Sequence, residues 1–277
     1  EQHIQDYLSN KWQLNHSIDS DSDGIVDQSD ADPLNPSIGV DIEAHVGQYA
    51  TEAKDVMTRL KASEKLGLWL SATENAMVLD DKNKVSTWID WSGNMRHAEQ
   101  DDSSKRPSFD TTNNSINFGS SNELMLDELQ FLKEGSFSII AVNQTNTTFL
   151  RETVSSGLGD TKRWFHYGYR DSDSFTNAFH SNDSNHDISF DSNEFQISIG
   201  TYHYENRDND DDSERQLYFN GTLTNRENTS ATTSNGDADL LYLNTLKYTS
   251  GQAKELIILN GVISDDDRRA ITHYLAK

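Results

Sequence analysis

The chain has 277 residues, enough for one large β domain and a small appendage. Its formal net charge of −23 makes phosphate backbones and anionic membrane surfaces poor partners and multivalent cations good ones. The absence of cysteine excludes thiolate zinc sites, iron–sulfur clusters, a cysteine nucleophile and any disulfide framework. Five Trp, ten Tyr and eleven Phe need burial, so the chain folds. No apolar run approaches the roughly 18 residues of a membrane span, and no membrane insertion is expected.

Residues 1–14 place Ile4, Tyr7, Leu8 and Trp12 at near one-face helical spacing. The stretch IQDYLSNKW at 4–12 is echoed by ITHYLAK at 271–277. This echo predicts that residues 1–14 are the terminal helix of a preceding module, and that the sequence is a piece of a longer protein with adjacent modules.

Residues 15–36 are nearly devoid of apolar side chains and end in two of the three prolines. Within them Asp19, Asp21 and Asp23 alternate, Gly24 permits a sharp turn, and Ile25 can offer its backbone carbonyl. Asp27 and Asp30 follow at the spacing of later ligands, and Asp32 precedes Pro33. Calcium takes six to eight oxygens at about 2.3–2.6 Å, and alternate residues of a tight loop aim carboxylates inward to supply them. Ca2+ is therefore the expected cofactor. This run resembles the aspartate-rich thrombospondin type 3 repeats, and the resemblance implies a metal-stiffened hinge between modules. The competing reading is an acidic flexible linker.

Residues 37–66 return to helical spacing through Val40, Ala44, Val46, Ala50, Ala53, Val56, Met57 and Leu60 and are read as a helical linker. From residue 67 to 277 short runs such as FSIIAV, RWFHYGY, FQISIGTYHY, QLYFNGTL, LLYLNTL and KELIILNGVI predict strands of antiparallel sheets. Alternation mixed with apolar runs suits a sheet with one face buried and the other concave or wet. Asn220-Gly221 signals a hairpin turn, and Ser264 opens a closing helix as its N-cap.

Val85, Trp88, Asp90, Ser92, Gly93, Asn94, His97, Ala98, Gln100, Arg106 and Pro107 follow a Leu-Trp-Leu strand. This opening, with KELIILNGVISDDDRRAITHYLAK at the end, resembles the bacterial LamG-like, concanavalin A-like modules. The resemblance implies an all-β antiparallel jelly-roll sandwich. Trp88 is expected in the core; Asp90, Asn94 and His97 are expected to brace the Ser92-Gly93 turn.

No E-x-D-x-x-E strand, G-x-S-x-G, H-E-x-x-H or phosphate-cradling glycine loop occurs, so no catalytic residues and no enzymatic activity are expected. The alternating stretch around Trp164, His166, Tyr167, Tyr169 and Arg170, with Asp171 and Asp173 beyond it, offers aromatic faces for stacking on sugars and polar groups for hydroxyls. The runs 182–187 and 206–212 supply more such groups, the latter reading as a solvated hairpin loop. These features predict a calcium-dependent extracellular adhesion or carbohydrate-binding module of a large exported bacterial protein, secreted or at the cell surface. Two alternatives stand beside it: a non-catalytic accessory domain of a secreted polysaccharide-degrading enzyme, and a calcium-stiffened spacer without ligand.

Overall fold

The computed structural model describes residues 51–126, 129, 132, 135–145, 148–151, 165–170, 173–179, 185–203, 213–229, 245–248 and 250–276. The terminal helix, the calcium loop and residues 37–50 of the helical linker expected from the sequence lie outside these residues. The chain enters through helix α1 (Thr51–Ala62) and runs into β1 (Leu66–Ser71), β2 (Met77–Leu79), β3 (Val85–Trp88) and β4 (Ala98–Glu99). Next come β5 (Ser108–Asp110), β6 (Ser115–Phe118), β7 (Leu124–Leu126), β8 (Phe137–Thr145) and β9 (Thr148–Arg151). They are followed by β10 (Phe165–Tyr169), β11 (Ser174–Phe179), β12 (Asn185–Asp187) and β13 (Gln196–His203). The described part closes with β14 (Ser213–Phe219), β15 (Thr222–Thr229), β16 (Thr245–Leu246), β17 (Gly251–Asn260) and helix α2 (Asp265–Leu275).

Among the described residues these strands make two antiparallel sheets. The first runs β15-β14-β13-β8-β17-β6-β5, with β1 also paired to β17. The second runs β12-β11-β10-β9-β16-β7-β4-β3-β2. Between them lies the main core, where Phe137, Ile139, Tyr202 and Ile258 of the first sheet meet Trp88, Leu126, Phe149 and Tyr167 of the second. The fold is an antiparallel jelly-roll sandwich.

The outer face of the first sheet is covered, and here the structure departs from the sequence expectation of a wet or concave face. Trp69, Ile140, Ile199 and Ile257 form a second core with Val56, Met57 and Leu60 of α1 and Ile271 of α2. Central strands buried on both faces need apolar side chains on both, which explains the unbroken runs IIAV and LIIL. The helices hold each other as well, Arg59 of α1 pairing with Asp267 of α2; α2 is also held to the sheet, where Arg268 lies 4.0 Å over the ring of Tyr218 in β14. Ser264 caps α2 through the Asp267 amide as expected, at 3.2 Å.

Asn220 and Gly221 both take positive φ, 49° and 83°, which is the backbone that a two-residue hairpin between β14 and β15 requires.

Candidate functional site

The segment after β3 is the best-organised polar region of the described chain. Asp90, 1% exposed, accepts from the Trp69 amide at 2.9 Å, the Ser92 amide at 2.9 Å and hydroxyl at 2.7 Å, and the Arg96 amide at 3.0 Å. Asn94 donates to the Leu66 and Gly67 carbonyls at 2.8 and 3.2 Å, and the Arg96 guanidinium reaches Gly67 at 2.8 Å. His97 Nδ1 accepts from the Asp90 amide at 3.0 Å, which fixes its tautomer and makes it a structural residue. Gly93, at φ 88°, turns the chain back beside the Lys61 side chain. These bonds tie the loop to itself and to β1. It is scaffold, as the sequence indicated.

The residues expected to bind ligand divide sharply. Trp164 and Asp171 lie outside the described residues, as do Asp19, Asp21, Asp23, Ile25, Asp27, Asp30 and Asp32 of the calcium loop. His166 holds a register position on β10 opposite Ala178 of β11. Tyr167 and Tyr169 are core residues, 0% and 1% exposed, and so are not part of an exposed stacking platform. Tyr167 packs edge-on against Phe149 and Phe175, and its ring fills space that a side chain at Gly200 would take, 2.7 Å from an added Cβ. Tyr169 meets Phe175, Phe190 and Phe219. Burial raises the hydroxyl pKa of both tyrosines, so they stay neutral. The alternation of the stretch is real, but its tyrosines belong to the inward set.

Arg170 and Asp173 remain exposed at the β10–β11 connection. The Arg170 guanidinium donates to Asn185 Oδ1 of β12 at 3.3 Å. Asn185 and Asp187 are exposed beside it, while His186 between them is buried and bonded to Asn225 of β15. The last three residues of the run 182–187, read from the sequence only as a source of polar groups, form β12, an edge strand. This corner therefore presents one guanidinium, one amide and two carboxylates over a rigid aromatic base.

Glu123 is held between Lys105 at 2.8 Å and Lys247 at 3.0 Å, and the hydrogen bond from Lys105 leads in keeping its carboxyl below the usual range. Glu194 lies in the turn before β13, bonded through its amide to Asp191. Among the described residues no three His, Asp or Glu side chains gather as a metal site.

Sequence reasoning missed Glu255. This β17 carboxylate, 8% exposed, accepts from Ser71 Oγ at 2.8 Å, Tyr274 OH at 3.1 Å and Trp69 Nε1 at 3.1 Å. Burial pushes it up to about 7, against the three donors. Glu255 and Tyr274 both lie in the closing stretch KELIILNGVISDDDRRAITHYLAK, but Ser71 and Trp69 meet them only in the folded chain.

Comparison with solved structures returns β-sandwiches. Botulinum neurotoxin type C, described in connection with cell entry dependent upon interaction with two ganglioside molecules, superposes at a TM-score of 0.51 and 14% identity, covering 79% of this chain and 53% of that one. The binding domain of botulinum neurotoxin DC in complex with rat synaptotagmin II superposes at 0.52 and 15% identity, covering 76% and 52%. A receptor-binding domain gives 0.52 and 15%, covering 80% and 53%. The likeness is one of fold. The chain spans about half the length of these structures. No protein-family model matches the sequence, and no curated protein matches it.

Proposed function

We propose that this chain is a carbohydrate-binding adhesion module of an exported bacterial protein, secreted or held at the cell surface. In this reading residues 15–36 form a calcium-binding hinge to adjacent modules and residues 67–277 carry the binding domain. The observation that supports it most directly is the β10–β12 corner. There the Arg170 guanidinium and the Asp173 side chain at the ends of β10 and β11, and the Asn185 and Asp187 side chains on β12, stand exposed over a buried aromatic cluster. Sugar hydroxyls need such a mixture of donors and acceptors at fixed spacing. The sandwich is also shared with toxin domains whose descriptions concern gangliosides and receptors, which makes glycan recognition a use this architecture accommodates.

The charge of −23 favours neutral over sulfated or uronic glycans. Affinities from a few hydrogen bonds fall around the millimolar to micromolar range, which many copies acting together make sufficient. A glycan array followed by calorimetry, with and without calcium, tests the reading. Arg170→Ala should weaken the selected glycan roughly tenfold while leaving the melting temperature unchanged. Absence of any binding below about 10 mM replaces the reading by that of a calcium-stiffened spacer.

A further inference from the structure

On the helix side of the first sheet, a pocket of about 250 Å³ lies where the end of β1, the β5–β6 turn, β17 and the last turn of α2 converge. Its polar wall comprises Ser71, Thr73, Asn113, Lys254, Glu255 and Tyr274. It is far from the β10–β12 corner in the fold, because it belongs to the other sheet and to that sheet's outer face.

Three features of the wall bear on what could enter. A carboxylate offers about four acceptor positions, and Glu255 spends three of them, two on Oε1 and one on Oε2. One acceptor position on Oε2 remains. Ser71 and Tyr274 direct their protons at Glu255, so each presents acceptor lone pairs elsewhere. The Thr73 hydroxyl is buried and makes no hydrogen bond. A buried hydroxyl without a partner is costly unless an occupant supplies one. A volume below the roughly 300–1,000 Å³ of pockets for drug-sized ligands fits one ring and not an oligosaccharide. Glu255 and Lys254 together leave the wall near electrical balance, while the whole chain repels anions.

We propose that this pocket binds a single neutral sugar ring, one hydroxyl donating to Glu255 and another exchanging a hydrogen bond with Thr73. The assignment of ligand class rests on the glycan-binding reading above. The site itself is separate from the β10–β12 corner.

The test uses the full chain titrated with D-glucose, D-galactose, D-mannose and N-acetyl-D-glucosamine, followed through the indole N–H resonances. The Trp69 indole, donating to Glu255, reports on the pocket; a Trp69→Phe spectrum identifies its peak. The expected result is a saturable shift of that peak with at least one of the four sugars. Thr73→Val keeps the side-chain shape and removes a buried hydroxyl that makes no hydrogen bond, so it should leave the melting temperature of the sugar-free chain unchanged or raised and weaken the sugar about tenfold. Asn113→Ala, on an exposed turn, should weaken it as well. A silent Trp69 peak, or unchanged affinity in both variants, overturns the pocket. If larger glycans still bind with Arg170 dependence in that case, the glycan reading survives without it. If no monosaccharide and no glycan binds at all, the broader reading falls first and this proposal falls with it.

Discussion

Glu255 joins three segments of the chain through three donors, yet burial still dominates its titration and lifts its carboxyl from 4.5 to about 7. A folded-state pKa above the unfolded one contributes stability that is fully present below about pH 4.5 and is lost as pH rises through about 7. Glu255→Gln removes the ionisation while keeping the acceptor. Relative to this variant, the wild-type chain should lose about 2–3 kcal/mol between pH 5 and pH 8 in urea denaturation. Parallel profiles for the two proteins would show that the carboxyl titrates normally. Residues of this kind were only partly legible. Asp90, Ser92, Asn94 and His97 could be read as a turn brace because they are close in sequence and many of their bonds are made within the turn. Glu255, Ser71 and Tyr274 are brought together by tertiary structure alone, and a lone Glu in an apolar strand announces nothing. Period-two alternation separated Tyr167 and Tyr169 from their neighbours but could not say which set faced inward, since that is decided by Gly200 on the opposite sheet.

At the level of elements, α1 is more than a connector. Val56, Met57 and Leu60 are 5%, 0% and 4% exposed, and they seal the outer face of the first sheet together with α2. Leu60→Ala should cost about 2–4 kcal/mol by opening a cavity against Trp69 and its neighbours, measured by urea denaturation. A cost below about 0.5 kcal/mol would mean that the helix rests on the sheet without sharing its core. The helical period of this segment was plain in the sequence, and so were β8, β13 and β17. The continuous apolar runs of β8 and β17 held the further information that both faces are covered. The strands β11 and β12 escaped sequence reading for the opposite reason. SFTNAF and NHD mix one inward aromatic or histidine with amide and carboxylate neighbours, a composition that turns and edge strands share.

For the whole molecule, charge is the leading fact. A chain with 46 acidic against 23 basic side chains carries a repulsion that a bound divalent cation would relieve locally. If residues 19–32 hold calcium, the ion binds the folded loop only, and millimolar Ca2+ should raise the melting temperature by mass action. Asp23→Ala should remove most of that rise. Limited proteolysis between residues 15 and 36 should appear on adding EDTA and be suppressed by calcium; cleavage indifferent to both reagents would favour the acidic flexible linker.

The brace after β3 has one more consequence. Strand β1 pairs with β17 along one side, and its other side would be an open edge of the first sheet. That side is instead occupied: the Asp90 carboxylate takes the Trp69 amide, the Trp91 amide takes the Trp69 carbonyl at 2.7 Å, and Asn94 and Arg96 take the carbonyls of Leu66 and Gly67. A backbone whose donors and acceptors are already engaged cannot template the strand of a second molecule. The polar turn thus acts as a selvedge, letting many sandwiches crowd together at high local concentration without knitting their sheets into one another.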